Sequence, residues 1–242
     1  MAIVRLDKYL ADAGLGTRSQ VKELIKKRRV KVDDNIIMSS DVKICTDINI
    51  VTVDNAPVEH SEFRYYVLHK PSGCVTATTD NHDKTVMDYL EGENIKGLFP
   101  VGRLDKDTEG LLIITNDGEL SHNLLSPKKH VDKTYFVITD VDISEEMLEK
   151  LENGIDIGDD TLTKHATAKY NNGKKNETLL TISEGRFHQV KRMYKALGAE
   201  VIYLKRLSMG SLVLDESLGK GQYRKLTEKE ISDLKNEKDY KQ

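Results

Sequence analysis

The sequence predicts an α+β protein: a small N-terminal domain over residues 1–58 and a larger domain over 59–242, with a mixed, mainly antiparallel sheet and helices. Three observations point there. The 242 residues exceed one typical domain and suit one large domain plus a small one. Strand-like and helix-like segments follow one another without strict βαβ alternation, which disfavours a doubly wound sheet. Charge is also segregated. Net charge is −3, yet residues 1–31 hold nine cations against three acids, so that segment is +6 and the remainder −9. A local basic excess of this kind is an electrostatic footprint for a phosphate backbone, or else a solvated helix face.

The elements follow in order. Leu6, Tyr9, Leu10 and Ala13 recur at i, i+3, i+4, i+7, one face of a short helix that Gly14-Leu15-Gly16 ends. Thr17 fits an N-cap, with Gln20 completing a capping box. Val21, Leu24 and Ile25 form the buried stripe of the second helix, and Arg18, Lys22, Lys26 and Arg29 lie on another face. An extended segment, Val30 to Asn35, comes next. Residues 54–62 are polar, contain Pro57 and read as a linker. Strands are expected over 64–69, 110–115, 133–139, 177–183 and 201–204, and helices over 119–125, 144–152, 186–197 and 227–234. The stretch before Glu177 is loop-rich, and the last eight residues form a charged tail.

Composition narrows the function classes. Hydrophobic content of 38% with 32% charged residues suits a soluble protein with a core. No apolar run approaches the roughly 18 residues of a membrane span, and the N-terminus lacks a signal-peptide core, so a cytoplasmic protein is expected. Cys45 and Cys74 are expected to be reduced thiols. The seven histidines show no His-x-x-x-His spacing, and no metal or cofactor is expected.

Two segments about eighty residues apart carry the chemistry. In the first, Val101-Gly102-Arg103-Leu104-Asp105-Lys106-Asp107-Thr108-Glu109-Gly110-Leu111-Leu112, a carboxylate stands on a glycine-bounded loop before an apolar strand. The second, Gly185-Arg186-Phe187-His188-Gln189-Val190-Lys191-Arg192-Met193, puts cations on the first turns of a helix. A carboxylate beside a fixed cation is a stabilised anion, poised as nucleophile or base. Taken singly, Asp105 reads equally well as a structural aspartate, Lys191 as a surface lysine, His188 as a satisfied histidine and Tyr135 as a core tyrosine. Asp107, Glu109 and Asp117 compete with Asp105 for the chemical role.

Together, and in this order, the two segments closely resemble the RsuA-type pseudouridine synthases, which isomerise uridine in ribosomal RNA without cofactor or metal. Lys133-Thr134-Tyr135 matches the same family, as do Lys70-Pro71-x-Gly73 and Leu204-x-Arg206-x-x-Met209-Gly210, which resemble scaffolding of the cleft. Residues 3–55 resemble an S4 RNA-binding domain. The resemblance implies the pseudouridine synthase fold and a nucleophilic Asp105 held ionised by Lys191. It implies that Tyr135 stacks on the target base and that Arg103 holds the extruded nucleotide. Arg186 and Gln189 are expected to contact RNA, His188 to order the loop or contact RNA, and Arg18, Lys22, Lys26 and Arg29 to contact the phosphate backbone.

Leu162-Thr163-Lys164, Ser126 to His130 and Leu180 to Gly185 look like the small-subunit pattern. The resemblance therefore implies 16S rRNA, or a small-subunit assembly intermediate, as partner of a monomer, with uridine 516 in standard 16S numbering as the target. A 23S rRNA target, or a non-catalytic S4-type assembly factor, remains open at this point.

Overall fold

The structure is a computed structural model that describes residues 3–46, 48–58 and 63–236. By contact the chain divides into two compact units. The first runs to Arg64 and includes Glu93–Leu98 and Asn116–Gly118; the second holds Tyr65–Gly92, Phe99–Thr115 and the residues from Glu119 onward.

The first unit contains β1 (Ile3–Arg5), α1 (Leu6–Asp12), α2 (Arg18–Lys26), β2 (Val30–Val32), β3 (Asn35–Ile36), β4 (Lys43–Cys45), β5 (Val51–Val53) and β6 (Ala56–Pro57). The expected capping box is present: Thr17 accepts from the Gln20 backbone, and the Gln20 side chain accepts from the Thr17 N–H at 2.8 Å. Val21 and Ile25 are buried with Leu6, Leu10, Val30, Ile44 and Val51 in one core, while Leu24 is partly buried against it. Two expectations need correction. Val30 to Asn35 is not one extended run but a hairpin, because Asp33 and Asp34 both take positive φ (47° and 62°). Asp54 and Asn55 do the same (52° and 65°), so the start of the expected linker is the β5–β6 hairpin. Two-residue loops with positive φ at both positions match the right-handed twist of the strands they join, and Asp and Asn tolerate that conformation. Residues 59–62 of the linker lie outside the described residues.

The second unit is built on one nine-stranded sheet. Its strands are β7 (Tyr65–Lys70), β8 (Phe99–Pro100), β9 (Glu109–Thr115), β10 (Lys133–Thr139), β11 (Ala166–Asn171), β12 (Lys174–Ile182), β13 (Val201–Met209), β14 (Leu212–Val213) and β15 (Tyr223–Lys225). The path is β11-β12-β10-β13-β9-β7-β15, with β14 on β13 and β8 on β9. Every pairing is antiparallel except β13 with β9, which run parallel. The sheet is thus mixed and mainly antiparallel. The helices are α3 (Gly118–Leu125), α4 (Glu145–Asn153), α5 (Gln189–Ala196) and α6 (Glu228–Asn236).

β9 is buried throughout, with Leu111, Leu112, Ile113 and Ile114 fully enclosed. β10 alternates buried and half-buried residues, so Lys133, Tyr135, Val137 and Thr139 share the enclosed face. The parallel seam is short: Lys205 pairs with Glu109 and Arg206 with Gly110. Gly110 cannot be replaced without moving it, since a Cβ there would stand 2.2 Å from the Arg206 carbonyl oxygen and φ is +107°. One row of paired residues crosses six strands at this level: Tyr223's neighbour strand contributes Lys70, then come Gly110, Arg206, Tyr135, Leu180 and Ala168.

Three further corrections concern boundaries. The loop-rich stretch contains β11, joined to β12 through Asn172-Gly173, both at positive φ. β13 continues to Met209, past Lys205 and the buried Arg206. The helix expected from Arg186 begins at Gln189, because His188 is left-handed (φ 48°) and cannot continue a helix backwards.

Candidate active site

The Asp105 loop lies between β8 and β9 and is held from behind by a buried lysine. Lys70, the last residue of β7, is fully enclosed. Its ammonium donates to the carbonyls of Thr108 (2.9 Å), Asp105 (3.0 Å), Pro71 (3.1 Å) and Lys106 (3.3 Å). Burial pushes the Lys70 ammonium below the ordinary lysine range. The converging carbonyl dipoles supply what water would otherwise give a buried cation. The Thr76 hydroxyl donates to the Leu104 carbonyl at 2.7 Å, and the Gly73 N–H donates to the Lys106 carbonyl at 2.7 Å. Strand end, lysine and turn together fix the main chain that presents Asp105.

The Asp105 side chain faces a cleft of about 590 Å³, within the size range of sites that hold one small ligand group. Lys191 and His188 approach it from the α5 side. The Lys191 ammonium is 3.5 Å from Asp105 Oδ2, and His188 Nε2 is 3.4 Å from Asp105 Oδ1. The shortest contacts of Lys191, however, go to Asp107, at 2.6 and 2.7 Å to its two oxygens. That hydrogen bond holds the Asp107 carboxyl below the usual carboxylate range against the opposing effect of burial. The lysine therefore serves two carboxylates, one closely and one at a distance.

Tyr135 lines the same cleft from β10. It is 7% exposed, and its hydroxyl makes no hydrogen bond among the described residues. Arg103 lines the cleft too, is exposed and makes no ion pair among the described residues. The structure thus brings Asp105, Lys191, His188, Tyr135 and Arg103 to one cavity.

Arg186 and Gln189 also border it, but their polar groups are occupied by protein. Arg186 donates to the Thr161 and Leu162 carbonyls, both at 2.7 Å, and to Glu184 at 3.2 Å. Gln189 is buried, donates to Glu184 at 2.8 Å and accepts from the Arg186 N–H at 2.9 Å. Through these bonds the two side chains tie the turn ahead of α5 to Glu184 and to the loop of Thr161 and Leu162. Arg18, Lys22, Lys26 and Arg29 belong to the first unit, where all four are exposed. Lys26 pairs with Glu23 at 3.2 Å, and Arg29 donates to Asp54 at 2.8 Å.

The other two competing carboxylates, Glu109 and Asp117, lie outside this group. Glu109 is buried and accepts from the Tyr203 hydroxyl (2.7 Å) and Lys220 (3.0 Å). Asp117 is buried in the first unit. Among the described residues, no group of three or more His, Cys, Asp or Glu side chains is placed to hold a metal ion, and no helix is long and apolar enough to cross a membrane. Three contributors escaped sequence reasoning. Asp107 appears there only as a rival to Asp105, and Thr76 carries no motif. Phe187, which lines the cleft, is the unspecified residue of Gly-Arg-x-His-Gln.

Comparison with known proteins agrees with this arrangement. An S4 domain model matches residues 4–45, and an RNA pseudouridylate synthase model matches residues 64–196. The chain is 47% identical over 231 residues to YtzG of Bacillus subtilis (strain 168), an uncharacterized RNA pseudouridine synthase; the match covers 94% of this chain and 97% of that protein. It is 40% identical over 236 residues to ribosomal small subunit pseudouridine synthase A of Haemophilus influenzae, covering 96% and 99%. A crystal structure of a pseudouridylate synthase superposes with a TM-score of 0.71 at 38% identity, covering 96% of this chain and 99% of that one. With an acid, a cation and an aromatic residue gathered in one cleft of the matched fold, the chain belongs to the RNA pseudouridylate synthase family and carries an S4 domain at its N-terminal end.

Proposed function

We propose that this pseudouridine synthase acts on small-subunit ribosomal RNA, converting uridine 516 in standard 16S numbering, with Asp105 as the nucleophile. The observation that carries the reading is the Asp105 carboxylate facing a cleft with Lys191 at 3.5 Å, His188 at 3.4 Å and Tyr135 on the opposing strand. In this scheme the target uridine is extruded from its stack and enters the cleft. Arg103, exposed at the cleft and without an ion pair among the described residues, contacts the displaced backbone. Tyr135 stacks on the base, and Asp105 attacks the nucleotide. The N1–C1′ bond breaks, the base turns, a C5–C1′ bond forms, and the bond between Asp105 and the nucleotide breaks again, returning the free carboxylate. The proton leaves C5 and N1 gains one, so the reaction is a net isomerisation. The side chains of this chain supply the nucleophile, its counter-charge and the surface on which the base turns.

The small-subunit assignment is supported by relatives named ribosomal small subunit pseudouridine synthase A, which match nearly end to end. The basic face of α2 supports an RNA partner through phosphate neutralisation. Mapping pseudouridines in 16S and 23S rRNA from cells with and without the protein tests the reading. Loss of one 16S pseudouridine is expected. Loss of a 23S pseudouridine instead would move the target to the large subunit, and no loss in either would sink the assignment.

A further inference from the structure

Phe187 lines the cleft and is 76% exposed. A single exposed aromatic is ordinary on a protein surface. Here three features set it apart. Its ring is stacked on the His188 imidazole, with centroids 3.8 Å apart and planes 17° from parallel. The turn that presents it is pinned at several points: Arg192 donates to the Phe187 carbonyl at 3.1 Å, Arg186 to two carbonyls of another loop, and Gln189 caps the Arg186 N–H. The imidazole under it reaches Asp105. One ring face is thus backed and oriented, and most of the remainder is open.

We propose that Phe187 is a stacking platform for an unpaired RNA base that neighbours the target uridine. The inference rests on the reading of the cleft as the uridine site. Extruding a nucleotide deprives the adjoining base of one stacking partner. A rigid, parallel-backed aromatic at the mouth of the cleft replaces that partner and accepts any base, since every base has a π-face. Such a contact contributes to RNA binding and leaves the chemical step to Asp105.

The test uses the full-length protein and a small-subunit rRNA fragment with 2-aminopurine on either side of the target uridine. Wild-type protein is expected to quench fluorescence at one of the two positions. Phe187→Leu should lose that quenching and raise KM for pseudouridine formation about tenfold. Its kcat should stay within about twofold of wild type, the pattern of lost uniform binding. Phe187→Trp should keep both quenching and KM. The proposal is overturned if wild type quenches at neither position or if Phe187→Leu matches wild type. A fall in kcat alone would also overturn it, showing that Phe187 acts on Asp105 through His188. If wild type binds the fragment without making pseudouridine, the reading of the site fails separately, and the quenching data still decide the platform.

Discussion

The two flanks of the Asp105 loop are built on opposite principles. Behind the loop the main support is dry: Lys70 is fully enclosed, and its ammonium meets four carbonyls at 2.9–3.3 Å. In front, the contacts border the cleft and are open to solvent. Asp105 and Lys191 side chains are about one-quarter exposed and stand 3.5 Å apart, and Asp107 is 69% exposed. The difference separates two tasks. The main chain that carries Asp105 is immobilised, whereas its carboxylate and the neighbouring cation stay free to regroup. Rigid support under an adjustable reacting group is how a site combines precision with turnover.

The largest effect expected is from Asp105→Asn, which removes the anion and keeps the shape. Isomerisation should fall to background, while stability stays within about 0.5 kcal/mol, the range of surface changes away from packing features. Substantial residual turnover in a pseudouridine assay would mean that the front flank holds its nucleophile elsewhere. Next comes Lys70→Met, which strips the four carbonyls of their donor. Unpaired buried polar groups cost about 1–3 kcal/mol each, and partial relaxation should leave a net destabilisation of about 3 kcal/mol or more. Denaturant unfolding measures it, and an unchanged midpoint would erase the contrast between the flanks.

The smallest effects belong to the Lys191–Asp107 pair. Lys191→Met should lower kcat about a hundredfold, as loss of one preorganised electrostatic partner does, with little change in stability because exposed pairs contribute little. Asp107→Asn should cost less than about tenfold, because Lys191 keeps Asp105 as a partner. A loss equal to that of Asp105→Asn would reverse the roles of the two aspartates. The sign for stability follows from the depressed Asp107 pKa: its small contribution is present above the unfolded carboxylate range and is lost as pH falls through the folded value.

Legibility followed the range of the interactions. The α2 capping box, the β10 span and the end of α5 at Gly198 are local matters, and sequence reasoning found them. β11 escaped because its inward positions are Ala166 and Ala168, too small to register as a hydrophobic stripe, although Asn172-Gly173 was an available hairpin signal. β13 was cut short because Lys205 and Arg206 look like an exit to solvent, yet Arg206 is 2% exposed and donates to the Leu111 carbonyl at 2.8 Å. Within the site, the resemblance to the family's motifs pointed to Asp105, Lys191 and Tyr135. The sharing of Lys191 between two carboxylates was invisible, because it depends on distances between segments 84 residues apart.

One feature of the sheet bears on what the cleft can admit. Lys70, Gly110, Arg206 and Tyr135 stand in one row across four neighbouring strands, and the row crosses the parallel seam at a glycine whose missing methyl group lets two backbones meet. Lys70 anchors the Asp105 loop at one end of this row, and Tyr135 presents its ring at the other. The bare backbone at Gly110 therefore works as a calliper: it sets how closely β9 and β13 approach, and with it the spacing between the Asp105 loop and the Tyr135 ring.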